Sequence, residues 1–130
     1  MARKLSGLAH IGILVTDMEK SKDFYLNTLR VDFKAEHELP NGVKLFFCDA
    51  GSCQIELVQM PDPAAKPEGV VSHIAIECED IEGWVEELRA KGVPFESDSI
   101  GVMADLLGGA KNIFLAGPDG ERIELWQYIR

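Results

Sequence analysis

Residues 9–19, AHIGILVTDME, return as residues 72–82, SHIAIECEDIE. His10, Ile11, Ile13, Asp17 and Glu19 recur in register as His73, Ile74, Ile76, Asp80 and Glu82, each 63 residues further on. A second block repeats later in each half. QIELVQ at 54–59 matches RIELWQ at 122–127, with Glu56 and Glu124 68 residues apart. The blocks keep their order, and the small change of offset is what a loop of altered length leaves behind in two copies of one supersecondary unit. Between the copies runs MPDPAAKPEG, whose Pro61, Pro63 and Pro67 are too dense for helix or central strand. The expected organisation is one domain over 1–130, made of modules 1–60 and 70–130 joined by a semi-rigid linker at 61–69.

Within each module the pattern predicts β-α-β-β-β. Ile11, Ile13 and Val15 alternate with His10, Gly12 and Leu14, and Ile74, Ile76 and Cys78 alternate with His73, Ala75 and Glu77, so both stretches read as strands. A helix follows each. Thr16 and Glu19 have capping-box spacing, and Met18, Phe24, Tyr25 and Leu29 fall toward one side. In the second copy Asp80 can cap a helix, Ile81, Trp84, Val85 and Leu88 form its apolar stripe, and Lys91-Gly92 ends it. Further strands are expected at 33–38, 43–49 and 52–60, and at 95–97, 111–116 and 121–128. Pro40-Asn41-Gly42 and Pro118-Asp119-Gly120 supply turns, and 100–110 is left as a loop. A sheet covered by a helix on one face leaves the other free to line a hollow.

The formal net charge of -9 argues against nucleic acid and against anionic membrane surfaces. The opening MARKLSG is followed by no apolar stretch of secretory type, and no run is long enough to span a bilayer, so a cytoplasmic location is expected. Cys48, Cys53 and Cys78 are odd in number and form no C-x-x-C pair, which reads as buried or half-buried thiols.

The chemistry resides on the open face. His10 and His73 stand on the first strand of each module, and Glu56 and Glu124 on the last. Each glutamate alternates with isoleucine and leucine. If those face the helix, the carboxylates face the hollow together with the imidazoles. Two imidazoles and two carboxylates form a donor set for one divalent ion, and an octahedral ion held by four residues keeps two positions open for substrate. Imidazole suits nickel, cobalt, zinc and iron, while carboxylate extends the choice to manganese. Trp126 shares the face of Glu124 and is a candidate lining residue. His37 has no repeat partner and is placed on the surface. Gln59 and Gln127 also repeat, but point to the opposite face and are read as settling strand ends.

HIGILVTDMEKSKDFYLNTL, QIELVQ, SHIAIECEDIE and GPDGERIELWQ resemble the vicinal-oxygen-chelate superfamily, the glyoxalase I-like proteins, across essentially the whole chain. The resemblance implies an α+β fold in which two βαβββ modules form an open, eight-stranded cup, assembled across a homodimer. A His, Glu, His, Glu ligand set matches glyoxalase I, and the short chain resembles its nickel- or cobalt-activated class. The implied reaction is proton abstraction from the hemithioacetal of a 2-oxoaldehyde and a thiol, through an enediolate, with Glu124 as first choice of base and Glu56 as second. Glutathione-dependent members carry Arg and Asn where this chain has Leu14 and Met60, so those two substrate-pocket positions leave the thiol cosubstrate unspecified. Two other readings stay open. One is a methylmalonyl-CoA-type epimerase, which needs the same proton abstraction, or another metalloenzyme of the superfamily. The other is a non-catalytic small-molecule or antibiotic-binding protein, which does not need all four ligands.

Overall fold

A computed structural model of the chain describes residues 9–62, 73–104 and 106–129. It divides into two compact units, Met1–Lys66 and Pro67–Arg130. The linker expected over 61–69 falls outside the described residues from position 63 onward.

The first unit runs β1 (His10–Leu14), α1 (Met18–Asp23) continuing as a π-helical turn over Phe24–Thr28, β2 (Asp32–Glu38), β3 (Lys44–Asp49) and β4 (Gln54–Gln59). Its sheet has the order β1-β4-β3-β2, with β1 parallel to β4 and the other pairs antiparallel. The alternation in the sequence becomes a two-sided sheet. Ile13, Val15, Phe46, Cys48, Ile55 and Leu57 are buried, as are Met18, Phe24, Tyr25 and Leu29 from the helix. The wide turn, in which the Leu29 N–H donates to the Phe24 carbonyl at 2.9 Å, carries Phe24, Tyr25 and Leu29 into this core. Asn41-Gly42 closes the β2–β3 hairpin, Gly42 taking a φ of 90° that few other residues accept.

The second unit repeats the plan with β5 (Ile74–Glu77), α2 (Ile81–Ala90), β6 (Gly101–Met103), β7 (Ala110–Ala116) and β8 (Arg122–Tyr128), in the order β5-β8-β7-β6. Again the first strand lies parallel to the last. Ile81, Val85 and Leu88 of the helix and Ile113, Leu115, Ile123 and Leu125 of the sheet form the core. Trp84, expected in the helix stripe, is only half-buried at its margin.

Two expectations need correction. The helix cap is Asp17, not Thr16. Asp17 has extended backbone and its carboxylate accepts from the Lys20 N–H at 3.2 Å, one residue later than the capping-box spacing suggested. In the second unit the strand expected at 95–97 is reduced to a single bridge between Phe95 and Leu115, and the strand forms instead at Gly101–Met103, inside the stretch read as loop. Arg89 explains the first half of this. Its guanidinium lies over the Phe95 ring and donates to the Ser97 and Asp98 carbonyls, so a side chain takes the acceptors that a ladder would use. The second half follows from Gly101, which lies directly opposite Asn112.

The repeated glutamines do more than settle strand ends. The Gln59 side-chain carbonyl accepts from the Met18 N–H at 2.7 Å, and that of Gln127 accepts from the Ile81 N–H, also at 2.7 Å. Each ties the last strand of its module to the first residue of its helix, satisfying an amide that the helix itself leaves free. Replacing either glutamine by leucine is expected to lower stability by about 1–3 kcal/mol, the cost of orphaning a part-buried donor. Urea denaturation would show this, and a loss below about 0.5 kcal/mol would count against the link.

Candidate functional site

In the first unit His10 and Glu56 come together on the sheet face away from the helix. His10 Nε2 lies 3.6 Å from Glu56 Oε1. Glu56 is centred on β4 between buried Ile55 and Leu57, opposite Gly12 on one side and Phe47 on the other. The Phe47 ring meets the His10 ring edge to face at 5.9 Å. A Cβ built at Gly12 would meet Glu56 Oε1 at 3.4 Å, an ordinary contact distance.

The second unit builds the same arrangement. His73 Nε2 lies 3.3 Å from Glu124 Oε1, Glu124 is paired with Ala75 and Phe114, and the Phe114 ring meets His73 edge to face at 5.2 Å. Here the carboxylate is buried, at 6% exposure, and its other oxygen accepts from the Asn112 amide at 2.8 Å. Arg122 also lies on this face, its guanidinium 3.9 Å from the Phe114 ring centroid and paired through two nitrogens with Glu96. That guanidinium holds the Glu96 carboxyl below the ordinary carboxylate range.

Each module thus supplies one imidazole and one carboxylate with their lone-pair atoms turned to a common point. Two donors on one ion, with bonds of about 2.1 Å, stand about 3.0 Å apart at octahedral and about 3.4 Å apart at tetrahedral angles. The 3.3 Å separation falls between these two values, and the 3.6 Å separation lies just beyond the tetrahedral one. Among the described residues no third His, Cys, Asp or Glu joins either pair to make a metal-holding group, so the pair is the unit that each module provides. Burial pushes the thiols of Cys48 and Cys78 up to about 11, which keeps them protonated near neutral pH.

The remaining sequence candidates divide. Trp126 is half-buried two residues beyond Glu124 on the same face, edge-on to Tyr128 at 5.9 Å. Its indole N–H is shielded from solvent and has no hydrogen-bond partner. Leu14 and Met60 are exposed, at 41% and 45%. His37 is exposed on β2, opposite Leu45. Phe47, Asn112 and Arg122 were not singled out from the sequence. Phe47 had a signal, since KLFF at 44–47 and KNIF at 111–114 repeat at an offset of 67. Asn112 and Arg122 have no counterpart of the same type in the first half. Only the strand register brings them to Glu124.

A two-module βαβββ chain bearing one His–Glu pair per module defines a class of protein, and three comparisons agree with it. The model of the glyoxalase/bleomycin resistance protein/dioxygenase superfamily matches residues 7–125. The chain is 33% identical over 129 residues to the uncharacterized protein YwkD of Bacillus subtilis, covering 95% of this chain and 98% of that one. It is 31% identical over 134 residues to the human mitochondrial methylmalonyl-CoA epimerase, covering 95% and 74%. Among solved structures, the trypanothione-dependent glyoxalase I of Leishmania major superposes with a TM-score of 0.77 at 26% identity, over 97% of this chain and 87% of that one. The chain belongs to the glyoxalase/bleomycin resistance protein/dioxygenase superfamily. Among the described residues no helix is long and apolar enough to cross a membrane.

Proposed function

We propose that His10, Glu56, His73 and Glu124 together hold one divalent metal, nickel or cobalt by preference, and that the protein is a glyoxalase I-like lyase or isomerase. The observation that carries this reading is the His–Phe–Glu arrangement built twice, with donor separations that suit an ion and a carboxylate in both copies. A binding module that only sequesters a ligand has no need of this duplication. A homodimer is the expected assembly, with a small-molecule substrate as its partner.

The residues divide the work as follows. When bound, the metal polarises the substrate carbonyl and offsets the negative charge that proton removal leaves on the enediolate oxygens. The imidazoles and one carboxylate fix its place. The other carboxylate takes the proton from the carbon beside the carbonyl and returns it to the neighbouring carbon. Phe47 and Phe114 stand beside the donors and exclude water from one side. Trp126 lines the same face two residues beyond Glu124. Leu14 and Met60 give the entrance apolar side chains where a glutathione-binding site would carry polar ones.

A second reading, an epimerase of a 2-methyl acyl-CoA acid, is favoured by the 31% identity to the human epimerase and by those same apolar positions. Nickel- or cobalt-loaded protein should be assayed on methylglyoxal with a panel of thiols, and in parallel on methylmalonyl-CoA by solvent-deuterium exchange. Turnover of the hemithioacetal supports the first reading and exchange into the acyl-CoA supports the second. No turnover of either, with metal bound, would remove both in favour of a binding protein.

A further inference from the structure

The two carboxylates are not equivalent, and the difference lies in their neighbours. Glu124 is held at both oxygens, Oε1 facing His73 and Oε2 accepting from Asn112. Glu56 faces His10 at one oxygen only, and its side chain is 18% exposed against 7% for Glu124. Register shows why. In the second sheet Phe114 pairs with Glu124 and Asn112 pairs with Trp126. In the first sheet Phe47 pairs with Glu56 and Leu45 pairs with Val58. Leu45 therefore occupies the place of Asn112 and brings no donor. The glycines complete the contrast. Gly101 sits opposite Asn112, where a Cβ would come within 2.6 Å of Asn112 Oδ1, so its absence gives the side-chain amide its seat. Opposite Glu56 stands Gly12, where the second unit has Ala75 beside Glu124.

We propose that Asn112, seated by Gly101, is a positioning residue that fixes Glu124 as a permanent metal ligand and leaves the proton transfer to Glu56. This rests on the metal-dependent reading above and reverses the order of bases that the sequence suggested. A carboxylate that must leave an ion, approach a carbon-bound proton and return needs freedom, which Glu56 has. A carboxylate clamped at its far oxygen presents the near one in a constant direction, and such outer partners typically alter metal affinity by about 10–100-fold. Without the amide, Glu124 loses its fixed orientation, and Glu56 has none to lose.

The test is nickel binding measured by calorimetry on the full chain, together with steady-state turnover on the better substrate. Asn112→Leu, which copies the first module, should weaken nickel binding about 10–100-fold. Gly101→Ala, which crowds the amide without touching the carboxylate, should weaken it in the same direction. Asn112→Gln, which keeps an amide donor, should recover part of the loss. Glu56→Gln should lose less nickel affinity than Glu124→Gln, because its carboxylate is not clamped at its far oxygen. Its kcat should fall about 10²–10⁴-fold with KM little changed. Parent-like nickel binding by both Asn112→Leu and Gly101→Ala overturns the clamp. A Glu56→Gln protein that turns over normally with nickel bound overturns the base assignment. The metal-dependent reading fails separately, if His10→Gln and His73→Gln bind nickel as tightly as the parent.

Discussion

Glu124→Gln is expected to lose nickel rather than chemistry. Glutamine keeps the volume of glutamate and can still accept from Asn112, so the sheet around it should persist and the unloaded protein should melt near the parent temperature. What is lost is the charge on a donor atom 3.3 Å from His73 Nε2. A direct ligand should matter more than an outer partner, so affinity should fall by more than about 100-fold. At a metal concentration that just saturates the parent, turnover should drop to a comparable extent, and a large excess of nickel should restore a measurable part of it. Glu56→Gln should differ, losing less affinity and regaining little turnover when nickel is brought to saturation. Titrating each variant with nickel while following turnover separates the two. Full activity of Glu124→Gln at stoichiometric nickel would end the ligand assignment.

Leu57→Ala is expected to have the largest effect on stability. Leu57 is completely buried in β4, between Ile13 on β1 and Phe46 on β3. It has the parallel strand on one side and the hairpin on the other, so neither can close the space left by its side chain without giving up its own register. The loss should approach the upper part of the range for such truncations, about 2–5 kcal/mol. Against a typical total of about 5–15 kcal/mol this is a large fraction, and the melting temperature should fall by roughly 10 °C or more. Because Leu57 also sets the direction of Glu56, nickel binding should weaken alongside. A stability loss below about 1 kcal/mol would show that this face of β4 is not packed as described.

Much of this was written in the sequence, and the reason is periodicity. The alternation in HIGIL and QIELVQ placed His10 and Glu56 on one face because side chains of a strand can go only two ways. The repeat then did the same for His73 and Glu124 without further assumption. What stayed hidden was whatever depends on register or on competition for hydrogen bonds. Nothing local in KNIF says that Asn112 reaches Glu124, because that contact needs β7 and β8 to pair Phe114 with Glu124. Nothing local in FESDS shows that Arg89, from the helix, will claim its carbonyls and push the edge strand to 101–103. Thr16 and Asp17 are both good caps, and the backbone angles that chose Asp17 are not visible in composition. The glutamines repeated visibly, yet their acceptor role required the helix start and the strand end to be adjacent in space.

The offset between the two copies is 63 residues at the first strands, 67 at the third and 68 at the last. The last step falls in the connection between the third and fourth strands, while the earlier one spans the helix, the second strand and the connections on either side. An added residue inside β4 would turn Glu56 into the apolar interior and swing Leu57 outward, ruining donor and core in one stroke. Growth within β4 is excluded on that account, and the His–Glu face is locked to the packing beneath it.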